Sequence, residues 1–292
     1  MDAALQILFS GLTLGAMYAL SAIGLALVWG ALGMLNMGQG ALLSIGGYAS
    51  YSAVSTLGLP WYLGLPAAVV FSFFVGLVIY YFMVKWMYQA DAFQFNIIIA
   101  TVGFAIFIEA AIIQIYTAYP QKQPFEVAGY IPISNVTLPY QTILIVCVAF
   151  VLMLMVAWLL KNTRMGRAIR ATAQERDAAQ LMGVDVGRVY AQVMVLAAMV
   201  AAVSGVLLTS ITPLSPTVGH DPMLKAFIIC VIAGLGNVPG AVYSALILGV
   251  FEAAVQYLAG SRYGFPAMLI LVIVVLIWRP AGVFGRRIAT RV

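Results

Sequence analysis

Charge is scarce in this chain of 292 residues: 8% are Asp, Glu, Lys or Arg, while 64% are apolar. Water-soluble domains carry about 25% charged and about 45–50% apolar residues. The shortage excludes an ordinary soluble globule, a disordered chain and a nucleic-acid-binding domain. The mean hydropathy of +1.06 agrees. Histidine occurs once and cysteine twice. Cys147 and Cys230 both lie in apolar runs, so they suggest neither a disulfide nor a zinc cluster. His220 has one acidic neighbour, Asp221, and reads as a solvated loop residue. There is no G-x-S-x-G, no H-E-x-x-H and no cysteine–histidine pair in suggestive spacing. No catalytic residue, metal or cofactor is therefore expected, and the chain is not read as an enzyme. A phosphate-binding G-x-x-x-x-G-K-[ST] loop is also missing, so ATP-driven transport needs a separate nucleotide-binding chain. The N-terminus has Asp2 and no basic stretch, and its apolar run outlasts a signal peptide, so the first helix is expected to be retained.

What is present is hydrophobic length. The apolar 64% of 292 residues, about 187, permits at most about nine crossings at ~20 residues each. Apolar runs occupy roughly 5–31, 40–56, 63–84, 96–117, 140–160, 189–211, 225–235, 239–258 and 264–278. All are predicted to be helical, because backbone in lipid must satisfy its own hydrogen bonds. The fold class expected is an all-α polytopic bundle of about eight transmembrane segments, forming one membrane domain over 1–292. Small residues at close spacing, such as Gly11 and Gly15 or Gly46 and Ser50, read as close helix packing.

The run 225–235 is too short to span ~30 Å at 1.5 Å per residue. It leads straight into G-L-G-N-V-P-G at 234–240. We read 225–258 as a broken or re-entrant pair; two full spans with a tight turn are the alternative.

The formal charge of +5 marks sidedness rather than an affinity for nucleic acid. The segment 161–188 and the tail Arg279, Arg286, Arg287 and Arg291 are basic and expected in the cytoplasm. The loop 118–139, with Lys122 and Glu126, is expected outside. Counting back through the spans puts the N-terminus outside as well.

Few residues are candidates for a solute pathway. In N-M-G-Q-G, Asn36 and Gln39 bring amides to membrane depth, and Gly38 and Gly40 let the backbone bend. Interrupted helices often mark the substrate path of a transporter; the plainer reading is a helix-to-helix turn capped by the amides. Glu109 and Glu252 lie inside apolar runs, and neither has an evident basic partner. Asn237 sits in the second interruption.

The connection 161–188 is long for two helices, and long loops are usually functional. Residues 168–182 suit a helix, with Gly183 as its stop. Ala178, Ala179, Leu181 and Met182 offer a compact docking surface; an amphipathic helix lying on anionic lipid is the alternative.

Several blocks resemble the Liv-type permeases of branched-chain amino acid ABC importers. They are N-M-G-Q-G-A-L-L-S-I-G-G-Y at 36–48, T-R-M-G-R-A-I-R-A at 163–171 and A-A-Q-L-M-G-V at 178–184. To these are added G-L-G-N-V-P-G-A at 234–241, L-G-V-F-E at 248–252 and W-R-P-A-G-V-F-G-R at 278–286. The resemblance covers nearly the whole chain in the family's order. The related urea and short-chain amide permeases share the same blocks. It implies an importer of branched-chain amino acids, or of urea and small amides, in the bacterial inner membrane. The implied partners are a second, homologous permease subunit, two cytoplasmic ATP-binding subunits and an external solute-binding protein. It assigns 168–183 as the helix that docks on the ATPase. We take Gly166, Arg167, Arg170, Glu175, Ala178, Ala179 and Gly183 as candidate coupling residues. Asn36, Gln39, Gly40, Glu109, Asn237 and Glu252 are the candidate pathway residues. A stand-alone secondary transporter or channel is the rival reading.

Overall fold

The computed structural model describes residues 2–88, 93–124, 129–133 and 136–285. Its elements begin with α1 (Asp2–Leu32), α2 (Gln39–Ser55) and α3 (Gly64–Ile79), the last running through a π-helical turn (Tyr80–Val84) into α4 (Lys85–Met87). They continue with α5 (Phe93–Tyr116) and a hairpin of β1 (Tyr130–Ile133) and β2 (Val136–Pro139). After it come α6 (Tyr140–Asn162), α7 (Arg164–Gln174), α8 (Arg176–Leu181) and α9 (Val186–Thr209). The last three are α10 (His220–Ala233), α11 (Val238–Ala259) and α12 (Gly264–Trp278).

The chain is an all-α polytopic membrane protein. Seven helical rods among the described residues are long and apolar enough to cross a bilayer. Each predicted apolar run falls on a helix. α2 has 17 residues and α10 has 14. At 1.5 Å per residue α10 covers about 21 Å, short of a ~30 Å hydrocarbon core. The 225–258 region is thus one short helix and one full-length helix. They are joined through Gly234–Asn237, where Gly234 and Gly236 hold φ of +88° and +83°. α10 also starts earlier than expected: residues 220–224 are its first turn, not loop.

The bundle has two opposite faces. The strand residues Thr137 and Leu138 line one cavity together with Gln6 and Phe9 near the start of α1. Ile169 and Arg170 of α7 line another with Leu27 and Ala31 near its end. The hairpin face and the basic face are therefore separated by the length of α1. Residues 279–285 join the basic face: Val283 donates to the Ile232 carbonyl at 2.7 Å, and Gly236 packs on Gly30. Arg286, Arg287 and Arg291, and Glu126 of the hairpin loop, lie outside the described residues.

α1 and α9 form the centre and are buried over most of their length. They reach that density with small residues. A β-carbon on Gly15 would fall 2.9 Å from the Leu246 Cα of α11. Gly46 abuts the Ala202 backbone of α9, and Gly205 abuts Leu43 of α2. These are close helix approaches, as the spacing predicts. The outer helices turn large apolar side chains outward, among them Phe107 (68% exposed), Ile277 (74%) and Trp278 (83%). Such a surface suits hydrocarbon and not water.

Candidate functional site

The helix interruption at 33–38 carries the backbone into the bundle. Gly33, at φ +64°, ends α1. Its carbonyl accepts from Gln94 Nε2 at 3.1 Å, near the start of α5. Four residues later, Met37 N donates to Thr101 Oγ1 at 3.2 Å. Thr101 lies about 10 Å further along α5 at 1.5 Å per residue. α2 therefore begins at depth and not at the basic face. Asn36 Oδ1 accepts from Gly38 N at 3.0 Å and shapes the turn. Asn36 Nδ2 and both amide atoms of Gln39 are buried without a hydrogen-bond partner among the described residues. The Gln39 side chain lies against Gly24 of α1.

α10 begins at the same point. A β-carbon on Gly40 would fall 2.7 Å from the Gly219 carbonyl, so only glycine lets the two helix starts meet. From there α2 rises toward the hairpin face, where Gln123 Nε2 donates to the Gly47 carbonyl at 3.2 Å. α10 descends to the basic face. Neither helix has a side-chain N-cap. The first N–H groups of a helix lack intrahelical partners and carry its positive dipole end. Two such ends converge inside the bundle, the arrangement that transporters use around bound anionic groups.

The single histidine belongs to this junction. His220 Nε2 lies 3.5 Å from Glu109 Oε2 of α5. This corrects two expectations: His220 is helical rather than a loop residue, and Glu109 has a basic partner. Both groups remain partly exposed.

A second correction concerns Glu252, which is 1% exposed. Lys225 of α10 meets its Oε1 at 2.7 Å. The same ammonium donates to the Tyr18 hydroxyl at 2.7 Å, and Gln256 Nε2 donates to Glu252 Oε1 at 3.0 Å. Three helices are thereby tied through one buried ion pair. Lys225 was concealed at the edge of an apolar run; its signal was that a lysine within such a run needs a carboxylate.

Asn237 stands apart from this cluster. Its Oδ1 accepts from Gly240 N at 3.0 Å and its Nδ2 donates to the Phe284 carbonyl at 2.9 Å. It caps α11 at the basic face, where Pro239 occupies the first turn. It lies at the opposite end of α11 from Glu252, apart from the other pathway candidates.

The basic segment is two helices, not one over 168–183. Extended backbone at Glu175 (φ −153°, ψ 109°) separates α7 from α8. Thr163 caps α7 by accepting from Gly166 N at 3.0 Å. Gly166 packs on the Leu159 and Leu160 carbonyls, where a side chain would clash. α7 is amphipathic: Gly166, Ile169 and Thr172 are buried, while Arg164, Arg167 and Arg170 are exposed. Arg170 donates to the Leu160 carbonyl. Arg176 lies over the Tyr88 ring, 5.2 Å from its centroid. Gly183, at φ +84°, ends the segment as the sequence predicts. Ala179 is 5% exposed and faces the chain's own bundle, whereas Ala178, Leu181 (88%) and Met182 (85%) face outward. The outward patch is therefore shifted from the one the sequence suggested.

A bundle of lipid-facing rods around two helix starts that meet at depth, with a buried ion pair beside them, defines a polytopic membrane permease. The profile of the family described as "Branched-chain amino acid transport system / permease component" matches residues 7–278, and the chain belongs to that family. It is 32% identical to the high-affinity branched-chain amino acid transport system permease protein BraD of Pseudomonas aeruginosa, over 97% of this chain and 96% of that protein. It is 31% identical to the corresponding LivH of Escherichia coli, again over 97% and 96%. The probable branched-chain amino acid permease LivH of Methanocaldococcus jannaschii is 26% identical over 91% of this chain and 88% of its own length.

Proposed function

We propose that this chain is a permease subunit of a binding-protein-dependent ABC importer that carries branched-chain amino acids across a bacterial inner membrane. The observation that carries the reading is near-full-length similarity to two permeases of branched-chain amino acid systems. The whole chain serves as one transmembrane domain. A second, homologous permease subunit completes the pathway. Two cytoplasmic ATP-binding subunits hydrolyse ATP, and an external binding protein delivers the solute. The basic bias puts 161–188 and Arg279 in the cytoplasm, and the hairpin and the N-terminus outside.

In this reading the pathway passes the junction of α2 and α10, beside Asn36, Gln39, Gly40, Glu109 and the Lys225–Glu252 pair. The exposed side chains Ala178, Leu181 and Met182 dock on an ATP-binding subunit. The arginines 167 and 170, Glu175 and the glycines 166 and 183 set the shape of that surface. Closure of the ATP-binding subunits moves α7 and α8 and switches access between the two faces. The test is uptake of radiolabelled leucine by the complete complex in proteoliposomes. Uptake that requires both the binding protein and ATP is expected. Uptake without ATP overturns the importer reading, and accumulation of urea or acetamide in place of leucine overturns the substrate.

A further inference from the structure

A cavity of about 680 Å³ opens beside the first turn of α10, in the half of the bundle nearer the hairpin face. Its size lies within the range usual for small-molecule sites. Tyr18, Asp221 and Lys225 line one part; Met17, Ile211 and Val218 line another. Asp221 and Lys225 are four residues apart on α10 and so share a face, about 5–6 Å apart at their β-carbons. Opposite charges at that spacing ordinarily pair with each other. Here Lys225 turns instead to Glu252 and Tyr18. Asp221 makes no hydrogen bond or ion pair among the described residues. An ammonium has three donors, and two of them are occupied. The third remains for a ligand in the cavity that Lys225 lines. Glu252 Oε2 is buried without a partner, so the ion pair is not saturated.

We propose that this cavity is a zwitterion-binding station, taking an α-amino acid with an aliphatic side chain; the inference rests on the amino-acid reading above. The free N–H of Lys225 takes the ligand carboxylate. Asp221, one turn away, takes the ligand ammonium. Met17, Ile211 and Val218 receive the hydrocarbon side chain. A neutral solute such as urea carries neither charge and so takes neither the third Lys225 donor as a carboxylate would nor the Asp221 carboxylate as an ammonium would. The station lies on the hairpin side of the junction, before the point where the two helix starts meet.

The experiment uses the full complex in proteoliposomes with its binding protein, ATP and radiolabelled leucine. Wild-type uptake is measured first; a complex that accumulates no leucine overturns the amino-acid reading and this inference with it. With wild-type uptake established, Asp221→Asn is expected to lower it about tenfold or more, the scale of a charge-assisted hydrogen bond. The paired change Lys225→Gln with Glu252→Gln strands neither member of the buried ion pair and is expected to cause a comparable loss. Asp221→Glu, which keeps the charge, is expected to recover at least half of the wild-type rate. Both neutralised forms are expected to assemble with the ATP-binding subunits as the wild type does. Wild-type uptake in either neutralised form overturns the station. So does failure of Asp221→Glu to exceed Asp221→Asn, or loss of assembly in Asp221→Asn, which would make the residue part of the scaffold.

Discussion

Lys225 holds the buried Glu252 carboxylate at 2.7 Å and joins α10 to α11 where neither helix alone could keep a charge. Removing one member strands the other in a low-dielectric interior, which costs about 3–5 kcal/mol. Replacing both with apolar residues of similar size is often close to neutral. Lys225→Met and Glu252→Leu are each expected to lower the melting temperature of the purified subunit in detergent. The double variant is expected to recover most of that loss. Additive damage in the double variant would mean that the two side chains do not act as a pair.

Gln39 makes the opposite prediction. Its amide is buried but forms no hydrogen bond among the described residues. Gln39→Leu therefore removes no bond, and its stability cost is expected to stay within about 1 kcal/mol. Leucine uptake is expected to fall several-fold, because polar donors at the α2 start are lost. Unchanged uptake in a well-assembled variant would take Gln39 off the pathway.

The basic-face helices offer two substitutions with distinct outcomes. Met182→Glu places a charge on a side chain that is 85% exposed. It is expected to leave folding intact and to abolish co-purification of the ATP-binding subunits. Ala179→Glu forces a carboxylate into a contact that is 5% exposed. Burying it without a partner costs several kcal/mol, so insertion and thermal stability are expected to fall together with coupling. Recovery of the ATP-binding subunits by Met182→Glu would show that this patch faces lipid.

Sidedness is open to a direct test. Single cysteines at Lys122 and Leu181, both exposed, would sit on opposite faces of the bundle. With native Cys147 and Cys230 replaced, an impermeant maleimide is expected to label position 122 in intact cells, and position 181 only after permeabilisation. The reverse pattern would invert the orientation.

The one-dimensional pattern located the rods well. Run 140–160 is α6 (Tyr140–Asn162), and run 5–31 is α1 (Asp2–Leu32). Hydrophobic length is a local property, so it survives in sequence. The short run before G-L-G-N-V-P-G likewise announced that 225–235 does not span. What the sequence concealed was facing. A helix apolar on all sides has no stripe to orient it, so Lys225 could not be directed at Glu252, 27 positions away. His220 and Glu109 are 111 positions apart and meet only through the α2–α10 junction. The break at Glu175 was hidden because Ala173, Gln174 and Arg176 around it favour helix. Ala178 and Ala179 look alike in sequence, yet one points out and the other in; the turn at Glu175 sets that phase.

The meeting of Gly40 with Gly219 has a dielectric consequence. Two helix starts bring their positive dipole ends and the N–H groups of Gly40, Ala41 and Asp221 to one point, and polar backbone of this kind is not tolerated in contact with hydrocarbon. They must therefore be enclosed by protein or reached by water, and either way the insulating slab is divided there into two thinner layers. α2 spans about 26 Å on one side and α10 about 21 Å on the other. On the pathway proposed above, a charged solute at the junction would face two low barriers in series instead of one tall one, and each could be lowered while the other stands.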